Sequence, residues 1–544
     1  MAQRAPGPLT IPPGADWAAM RAAHRWPRRR RLNMAEAVCD AWARAAPERT
    51  ALLYLRPDGT LRDWRYGQLA RAARRLANAF AAQGIGRGDR VAALLPQTPE
   101  TLLTHLAAWR LGAVTVPLFT LFGADGLRFR LADSGAKALV TDGPNLEKVL
   151  GIRDDLPDLA AIYSIDAREG GALGFWQELG KAADAHGIAP TGPDDPAFLA
   201  YTSGTTGPPK GALHGHRVLT GHLPGIALAH EGLGLPGDRI WTPADWAWMG
   251  GLTNVLLPAL AAGAPVVAHR MAKFDPGRAA ALVADLGVRN AFLPPTALKL
   301  MRQADLGAVP GLRSVASAGE PLGAEMLDWG RGVFGREINE FYGQTECNAV
   351  IGNCAAIAPV RPGSAGRAIP GHDVAILGPG DRACAPGEIG EIAVRAPDPV
   401  MFLGYRGLPE KTAEKVAGGW LRTGDKAAMD GEGYVFFSAR ADDVITSSGY
   451  RIGPSEIEDC LAGHPAVAMA AVVGTPDPIR TEAVRAFVVL REGAAAEGLA
   501  EALVARVRAR LSPHLAPREV VFVPSLPMTA TGKIQRRRLR DGGG

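Results

Sequence analysis

The sequence predicts an α/β fold: a large N-terminal domain of layered α/β subdomains with a β-rich subdomain, then a small α+β C-terminal domain. Three observations carry this expectation. From about residue 66, amphipathic helical stretches alternate with short apolar runs, the rhythm of parallel strands joined by crossover helices. Near residue 370 the texture changes to short alternating segments between Gly and Pro turns, as in "GHDVAILGPGDRACAPGEIGEIAVRA", which marks β-structure. The last hundred residues form a compact mixed tail of their own, and a chain of 544 residues is long enough for at least two domains.

Taken in order, "YGQLARAARRLANAFAAQGI" from Tyr66 reads as an amphipathic helix and "RVAALLP" as a buried strand; "ETLLTHLAAWRLGA" is a helix and "VTVPLF" a strand. Further on, "RIWTPAD", "PVVAHR", "RNAFLPP" and "SVASAG" are strand candidates separated by helix candidates. In the tail, a helix starts at Pro454, "MAAVVGT", "RAFVVL" and "EVVFVP" read as strands, and a second helix lies near 498 to 511. There is no internal repeat.

Composition excludes several classes. Hydrophobic residues at 47% and charged residues at 21% are those of a folded globular chain and exclude wholesale disorder. Net charge is +5 and the pI about 9.0, but the basic residues are dispersed apart from "RWPRRRRLN" at 25–33 and "KIQRRRLR" at 533–540. Neither run accompanies a nucleic-acid motif or stacking platform, so both read as solvated charge and no nucleic-acid partner is expected. Cys39, Cys347, Cys354, Cys384 and Cys460 are odd in number and scattered. Without a CxxC pair or zinc-like His spacing they fit a reducing cytoplasm. No apolar run approaches a membrane span and the first thirty residues lack a secretory h-region, so a cytoplasmic protein without stable membrane insertion is expected.

The densest chemical signal is "YTSGTTGPPKGALHGH" at 201–216. After the apolar run "AFLAY", Ser203, Thr205 and Thr206 alternate with Gly204 and Gly207, and Lys210 follows. Glycines let backbone amides approach an anion, hydroxyls add donors and the lysine adds charge, a combination able to cradle phosphate. It is not a Walker A loop, which needs Gly-Lys-Ser/Thr, because Lys210 lies between Pro209 and Gly211. His214, His216 and His222 nearby lack an evident third ligand type, so helix-facing or solvent-exposed histidines are expected rather than a metal site.

This stretch resembles the signature of the adenylate-forming superfamily of acyl-CoA synthetases, luciferases and peptide-synthetase adenylation domains. The resemblance continues through "SAGEPL" at 317–322, "YGQTE" at 342–346, "GWLRTGD" at 419–425, "SARADDVITSSGYRIGPSEIE" at 438–458 and "TGKIQRRRLR" at 531–540, in order and spacing across roughly residues 35 to 540. "SSGYRIGPSEIE" and "TPDPIR" look closest to short- and medium-chain fatty acyl-CoA synthetases. The resemblance implies domains at 1–441 and 442–544, the second mobile, with ATP, Mg2+ and coenzyme A as reaction partners.

By the same resemblance, Thr202, Ser203, Gly204, Thr205, Thr206, Gly207 and Lys210 embrace the ATP phosphates, and Glu346 with Thr205 holds Mg2+. Gly319, Glu320, Pro321, Tyr342, Gly343, Gln344 and Thr345 line the adenosine, Asp425 binds the ribose hydroxyls, and Arg440 assists at ribose or phosphate. Lys533 is the expected catalytic lysine of adenylation, with Glu346 as the second catalytic group. Asp442 falls on the hinge position; Ser448, Gly449 and Arg451 belong to the coenzyme A face, where Gly449 leaves room for the pantetheine arm. Thr446 departs from the Asn of similar sequences. Arg536, Arg537, Arg538 and Arg540 read as a frayed, solvated tail.

The acyl pocket is assigned to Trp246, Trp248, Met249, Gly250, Gly343 and Asn348. Acetate-specific members of the family carry a Trp where Gly343 stands, so room for an acid longer than acetate is expected, while the two Trp residues either fill the core or wall the pocket. The expected activity is that of an ATP-dependent acyl-CoA synthetase acting on a short- to medium-chain acid. An aromatic or branched acid, an acyl-AMP ligase loading a carrier protein, and a non-catalytic nucleotide-binding protein are the alternatives. The sequence leaves monomer and homodimer open.

Overall fold

The structure, a computed structural model, describes residues 7–202, 208–440, 443, 445–447, 450–477, 481–511, 515–529 and 532–541; for residues 439, 440, 446, 450, 451, 456 and 481 it describes the backbone alone.

Two large sheets build the N-terminal part. The first, of eight strands among the described residues, runs Gly404–Tyr405, Lys210–Gly215, Pro196–Thr202, Val114–Pro117, Arg90–Leu94, Ala136–Thr141, Ala161–Ser164, Leu173–Gly174. Its neighbours are parallel from Pro196–Thr202 outward, as the alternation of helix and strand in the sequence requires. The hairpin of Pro196–Thr202 with Lys210–Gly215 sets Thr202 directly opposite Lys210, so the phosphate-loop sequence connects two paired strands.

In the second sheet, Thr50–Leu55, Val266–Ala268, Ile240–Trp241, Asn290–Phe292, Ser314–Ser317 and Ile338–Tyr342 lie parallel. The expected "RIWTPAD" strand keeps only two ladder residues, since Pro243 supplies no N–H to extend it. Beyond Ile338–Tyr342 the same sheet turns antiparallel through Ile351–Gly352, Ser364–Ala368, Tyr434–Arg440, Trp420–Met429, Gly390–Arg395 and Val374–Leu377, the β-rich part read near residue 370.

The helices Tyr66–Ala82 and Pro99–Leu111 pack between the sheets. Pro99–Leu111 is buried on nearly every side, consistent with its lack of a polar face. Leu102, Leu106 and Trp109 share one core with Val91 and Phe198 of the first sheet and Leu52, Ile240 and Phe292 of the second. Its one buried cation, Arg110, is matched by Asp40, which removes the penalty an unpaired charge would carry.

The C-terminal residues form a separate five-stranded sheet, ordered Tyr450–Ile452, Ile445–Ser447, Thr481–Leu490, Val467–Asp477, with Glu519–Phe522 parallel to Thr481–Leu490. Helices Pro454–Ala462 and Leu499–Arg510 cover it through Ile457, Leu461, Leu503 and Val507. Val467–Asp477 runs past the expected strand and includes Pro476, which an edge strand tolerates. The basic tail is not frayed: it forms the helix Arg536–Arg540, with Arg536 2.7 Å from Glu458 and Arg540 2.5 Å from Asp443. Carboxylates of its own domain hold it down.

Ser364–Ala368 joins the antiparallel part to the parallel part, and it does so on Gly366. Its φ is +102°, and a Cβ there would lie 2.0 Å from the carbonyl oxygen of Gly352. Gly366→Ala is therefore expected to cost more than about 2 kcal/mol through combined strain and overlap, read as a lower urea midpoint of the N-terminal transition.

Candidate active site

The C-terminal ends of strands from both sheets open into one cavity of about 1860 Å³, the position where parallel α/β sheets present ligands. Thr202 ends one strand, Gly319 and Glu320 follow Ser314–Ser317, and Tyr342 ends Ile338–Tyr342. Thr202, Lys210, Gly319, Glu320, Pro321, Tyr342, Gly343, Gln344, Thr345, Glu346, Asp425 and Lys533 all line it. Thus residues spread over more than three hundred positions converge. Ser203, Gly204, Thr205, Thr206, Gly207, Asp442, Ser448 and Gly449 lie outside the described residues. Of Arg440, Thr446 and Arg451 only the backbone is placed, Arg440 directly opposite Asp425 in the ladder.

On one wall, Asp425 is fixed by two donors to the same oxygen: the Tyr342 hydroxyl at 2.6 Å and the Gln344 amide at 2.6 Å. Lys415 ties the Gln344 carbonyl at 3.1 Å and the Thr423 carbonyl at 3.0 Å. Burial first, and then the Asp425 charge, holds the Tyr342 phenol protonated far above its ordinary range, so it stays a donor. Glu320 is 2.9 Å from Lys299. Burial opposes its charge, but Lys299, then Lys533 and Arg536, outweigh that and keep the carboxyl below its usual range. Lys533 enters from the C-terminal domain, its Cε 4.0 Å from where a Cβ of Gly319 would stand.

Also lining the cavity, Tyr405 lies beside the hairpin of Pro196–Thr202 with Lys210–Gly215, because Gly404–Tyr405 pairs with Lys210–Gly215. Its hydroxyl donates to Glu346 Oε1 at 2.5 Å, and the Lys210 ammonium lies 5.3 Å from its ring centroid. Burial and then Glu346 push the Tyr405 phenol above its ordinary range. One tyrosine therefore orients the carboxylate and supports the cation.

The acyl-pocket assignment divides. Trp248 and Met249 line the cavity, with Trp248 tilted against Phe292 at 6.0 Å and Phe292 against Phe341 at 5.7 Å. Trp246 does not; it is fully buried in the core between the sheets. Gly250 is not on the wall either. A Cβ there would meet the Trp248 ring at 2.4 Å, so the glycine makes way for that indole. Asn348 is turned inward, donating to Thr253 at 3.1 Å and Asn254 at 3.0 Å. Gly343 lines the cavity, yet the volume of its missing side chain is not open: a Cβ would stand 2.3 Å from the Ala349 nitrogen. Of the two alternatives for the histidines, solvent exposure is not found, since His214, His216 and His222 are all buried, His222 within helix Arg217–Ala229. Burial lowers their pKa values to between about 3 and about 4, and no group of three or more metal-type ligands occurs among the described residues.

Residues 39–406 match the AMP-binding enzyme family, and residues 456–533 match the C-terminal domain of that family. The chain belongs to the AMP-binding enzyme family. Human mitochondrial acyl-coenzyme A synthetase ACSM4 is 36% identical over 98% of this chain and 94% of its own. The anthranilate CoA ligase AuaEII, solved with anthranoyl-AMP, superposes with a TM-score of 0.87 at 28% identity over 95% of this chain and 98% of its own. A benzoate CoA ligase from Burkholderia xenovorans gives 0.82 at 30% identity over 94% and 100%.

Three cavity residues of this AMP-binding enzyme escape sequence reasoning: Tyr405, Lys299 and Lys415. Tyr405 sits in "FLGYRG", far in sequence from the loop it supports, and Lys299 sits in a helix that reads only as amphipathic. Glu340 is a fourth. It faces the cavity two residues before Tyr342 and accepts from the Leu322 amide at 3.1 Å, and burial raises it to about 8. The fold thus favours its neutral form; that stabilisation is complete below its ordinary value of 4.5 and is lost as pH rises through about 8. Melting temperature should accordingly fall more steeply between pH 5 and pH 8.5 in the wild type than in Glu340→Gln, whose side chain cannot ionise.

Proposed function

We propose that this AMP-binding enzyme is an ATP-dependent acyl-CoA synthetase acting on short- to medium-chain carboxylic acids. The observation that carries this reading is Lys533 beside Gly319 and Glu320 in the same cavity that Asp425 and Glu346 line. A cation delivered by one domain to a nucleotide-sized cavity of another suits activation of a carboxylate by positioning and charge compensation.

The reaction divides into two displacements. A carboxylate oxygen attacks the α-phosphorus of ATP, and the bond to pyrophosphate breaks. The coenzyme A sulfur then attacks the acyl carbon, the bond to AMP breaks, and the thiol proton leaves to solvent or a base. Lys533 contacts the carboxylate and phosphate oxygens as negative charge gathers between them. Asp425, already oriented by Tyr342 and Gln344, accepts from the two ribose hydroxyls, while Gly319, Pro321 and Tyr342 flank the base. Thr202 and Lys210 reach the β- and γ-phosphates together with the loop that joins them.

Magnesium fits this donor set, since that ion uses one or two carboxylates with substrate phosphates and water, and Glu346 is a buried carboxylate oriented by Tyr405. Glu346 and Thr205 would hold it, and it would offset phosphate charge. Residues 442–544 act as the mobile domain, turning about Asp442, with Gly449 and Arg451 on the coenzyme A face.

The Trp248, Phe292 and Phe341 ring series beside the cavity favours a second reading, an aromatic acid lying flat on that wall. No helix among the described residues is long and apolar enough to cross a membrane. The five free cysteines suit a reducing compartment, the cytoplasm in our reading.

Incubating the protein with ATP, Mg2+, coenzyme A and a mixture of acids from acetate to decanoate plus benzoate, followed by mass spectrometry, tests the reading. Acyl-CoA beyond acetate is the expected product. Benzoyl-CoA alone supports the aromatic reading, and acyl-AMP without acyl-CoA points to a carrier-protein acceptor instead. Lys533→Ala should lower acyl-AMP formation by about 100-fold or more while sparing thioester formation from preformed acyl-AMP.

A further inference from the structure

The C-terminal domain meets the N-terminal part through two reciprocal carboxylate seats. Glu325, in the first turn of helix Ala324–Phe334, reaches onto the end of helix Pro454–Ala462. There it receives Arg506 at 3.0 Å and Arg510 at 3.1 Å from the C-terminal domain, and Arg302 at 3.4 Å from its own side. Its carboxylate lies where Gly463 has no side chain; a Cβ at Gly463 would be 1.9 Å from Glu325 Oε1. In the reverse direction, Asp459 of the C-terminal domain points at Gly323, where a Cβ would be 2.7 Å from the Asp459 carboxyl carbon. The two acids thus sit in two glycines, each supplied by the opposite domain.

Helix Pro295–Gln303 completes the contact with side chains at helical spacing. Thr296 donates to the Gly532 carbonyl at 3.3 Å, Arg302 to the Ala462 carbonyl at 3.4 Å and Gln303 to the Ala468 carbonyl at 3.0 Å. Gly532 is the immediate neighbour of Lys533. The lock and the lysine therefore move as one body.

Resting on the acyl-CoA synthetase reading above, we propose that Glu325 and Gly463, clasped by Arg302, Arg506 and Arg510, are positioning residues that hold the C-terminal domain in the orientation presenting Lys533 for acid adenylation. They touch no substrate. Thioester formation, for which the domain turns away, does not use them. Gly463 has φ −73° and ψ 0°, a conformation any residue adopts, so an alanine there is compatible with the C-terminal domain by itself and acts only in the docked orientation, where its methyl group displaces the Glu325 carboxylate from its seat and from the arginines.

The full-length chain tests this with Gly463→Ala, Glu325→Ala and the double variant, each half-reaction measured separately: acid-dependent pyrophosphate exchange into ATP, and acyl-CoA formation from presynthesised acyl-AMP. Each single change should lower kcat for exchange about tenfold or more with KM for ATP little altered, and leave the second half-reaction intact. In the double variant, the Gly463→Ala change should add no further loss, since the carboxylate its methyl group would strike is gone. Equal loss of both half-reactions, loss of neither, or multiplying effects overturns the lock. If the wild type exchanges with no acid, the functional reading fails, and small-angle X-ray scattering then judges the lock: a more extended Gly463→Ala particle supports it, and a profile identical to wild type refutes it. Arg506→Ala serves the same measurements should Gly463→Ala not fold.

Discussion

Lys299 and Glu320, 2.9 Å apart at the seam between the two domains, are the ion pair on which the arrangement of the cavity depends. Taking either charge out of water unpaired would cost several kcal/mol. Together they place a net-neutral floor beneath Lys533, whose positive charge Glu320 also feels. Arg536 is drawn the same way, although its close partner is Glu458. The lysine is thus held near a carboxylate that Lys299 also pairs with.

Acidic groups at the same seam show the opposite side of this balance. Asp459 is raised to about 7, by burial first and then by Glu458, with Lys299 opposing. Glu340, nearby, is raised by burial and further by Asp459. Protonation lets carboxyls crowd together where ionised ones would repel. The apolar core that joins the two large sheets does not extend into this seam, whose described contacts are polar and acidic groups.

Much of this architecture was legible because periodicity and glycine punctuation are local. The helix at Tyr66, the strands at Arg90, Val114 and Ser314 and the change of texture near 370 all follow from such patterns. The ordered motifs likewise led to Asp425, Tyr342, Glu346 and Lys533, which one cavity gathers. What the sequence hid is set by contacts between distant segments. Trp246 and Trp248 are two residues apart, a spacing that strand alternation would put on one face, but a turn and bend at 246–248 sends Trp246 into the core and Trp248 to the cavity. Gly343 reads as vacated space, but the backbone of Asn348 and Ala349 fills it. Tyr405 supports Glu346 and Lys210 only because its short strand pairs beside the hairpin.

Two kinds of glycine separate rigidity from reversibility in this chain. Gly366, at φ +102°, is required by its own sheet, and no movement of a domain would relieve a side chain there. Gly323 and Gly463 have φ −73° in both cases, ordinary backbone, and only the facing domain forbids a side chain. A seam built from the second kind joins surfaces that are each unstrained alone. Its contacts include carboxylates in glycine seats and arginines spanning to them, polar groups that water can solvate. The Ser364–Ala368 joint belongs to the wall of the cavity itself, while Lys533 comes to that cavity across a seam of polar contacts.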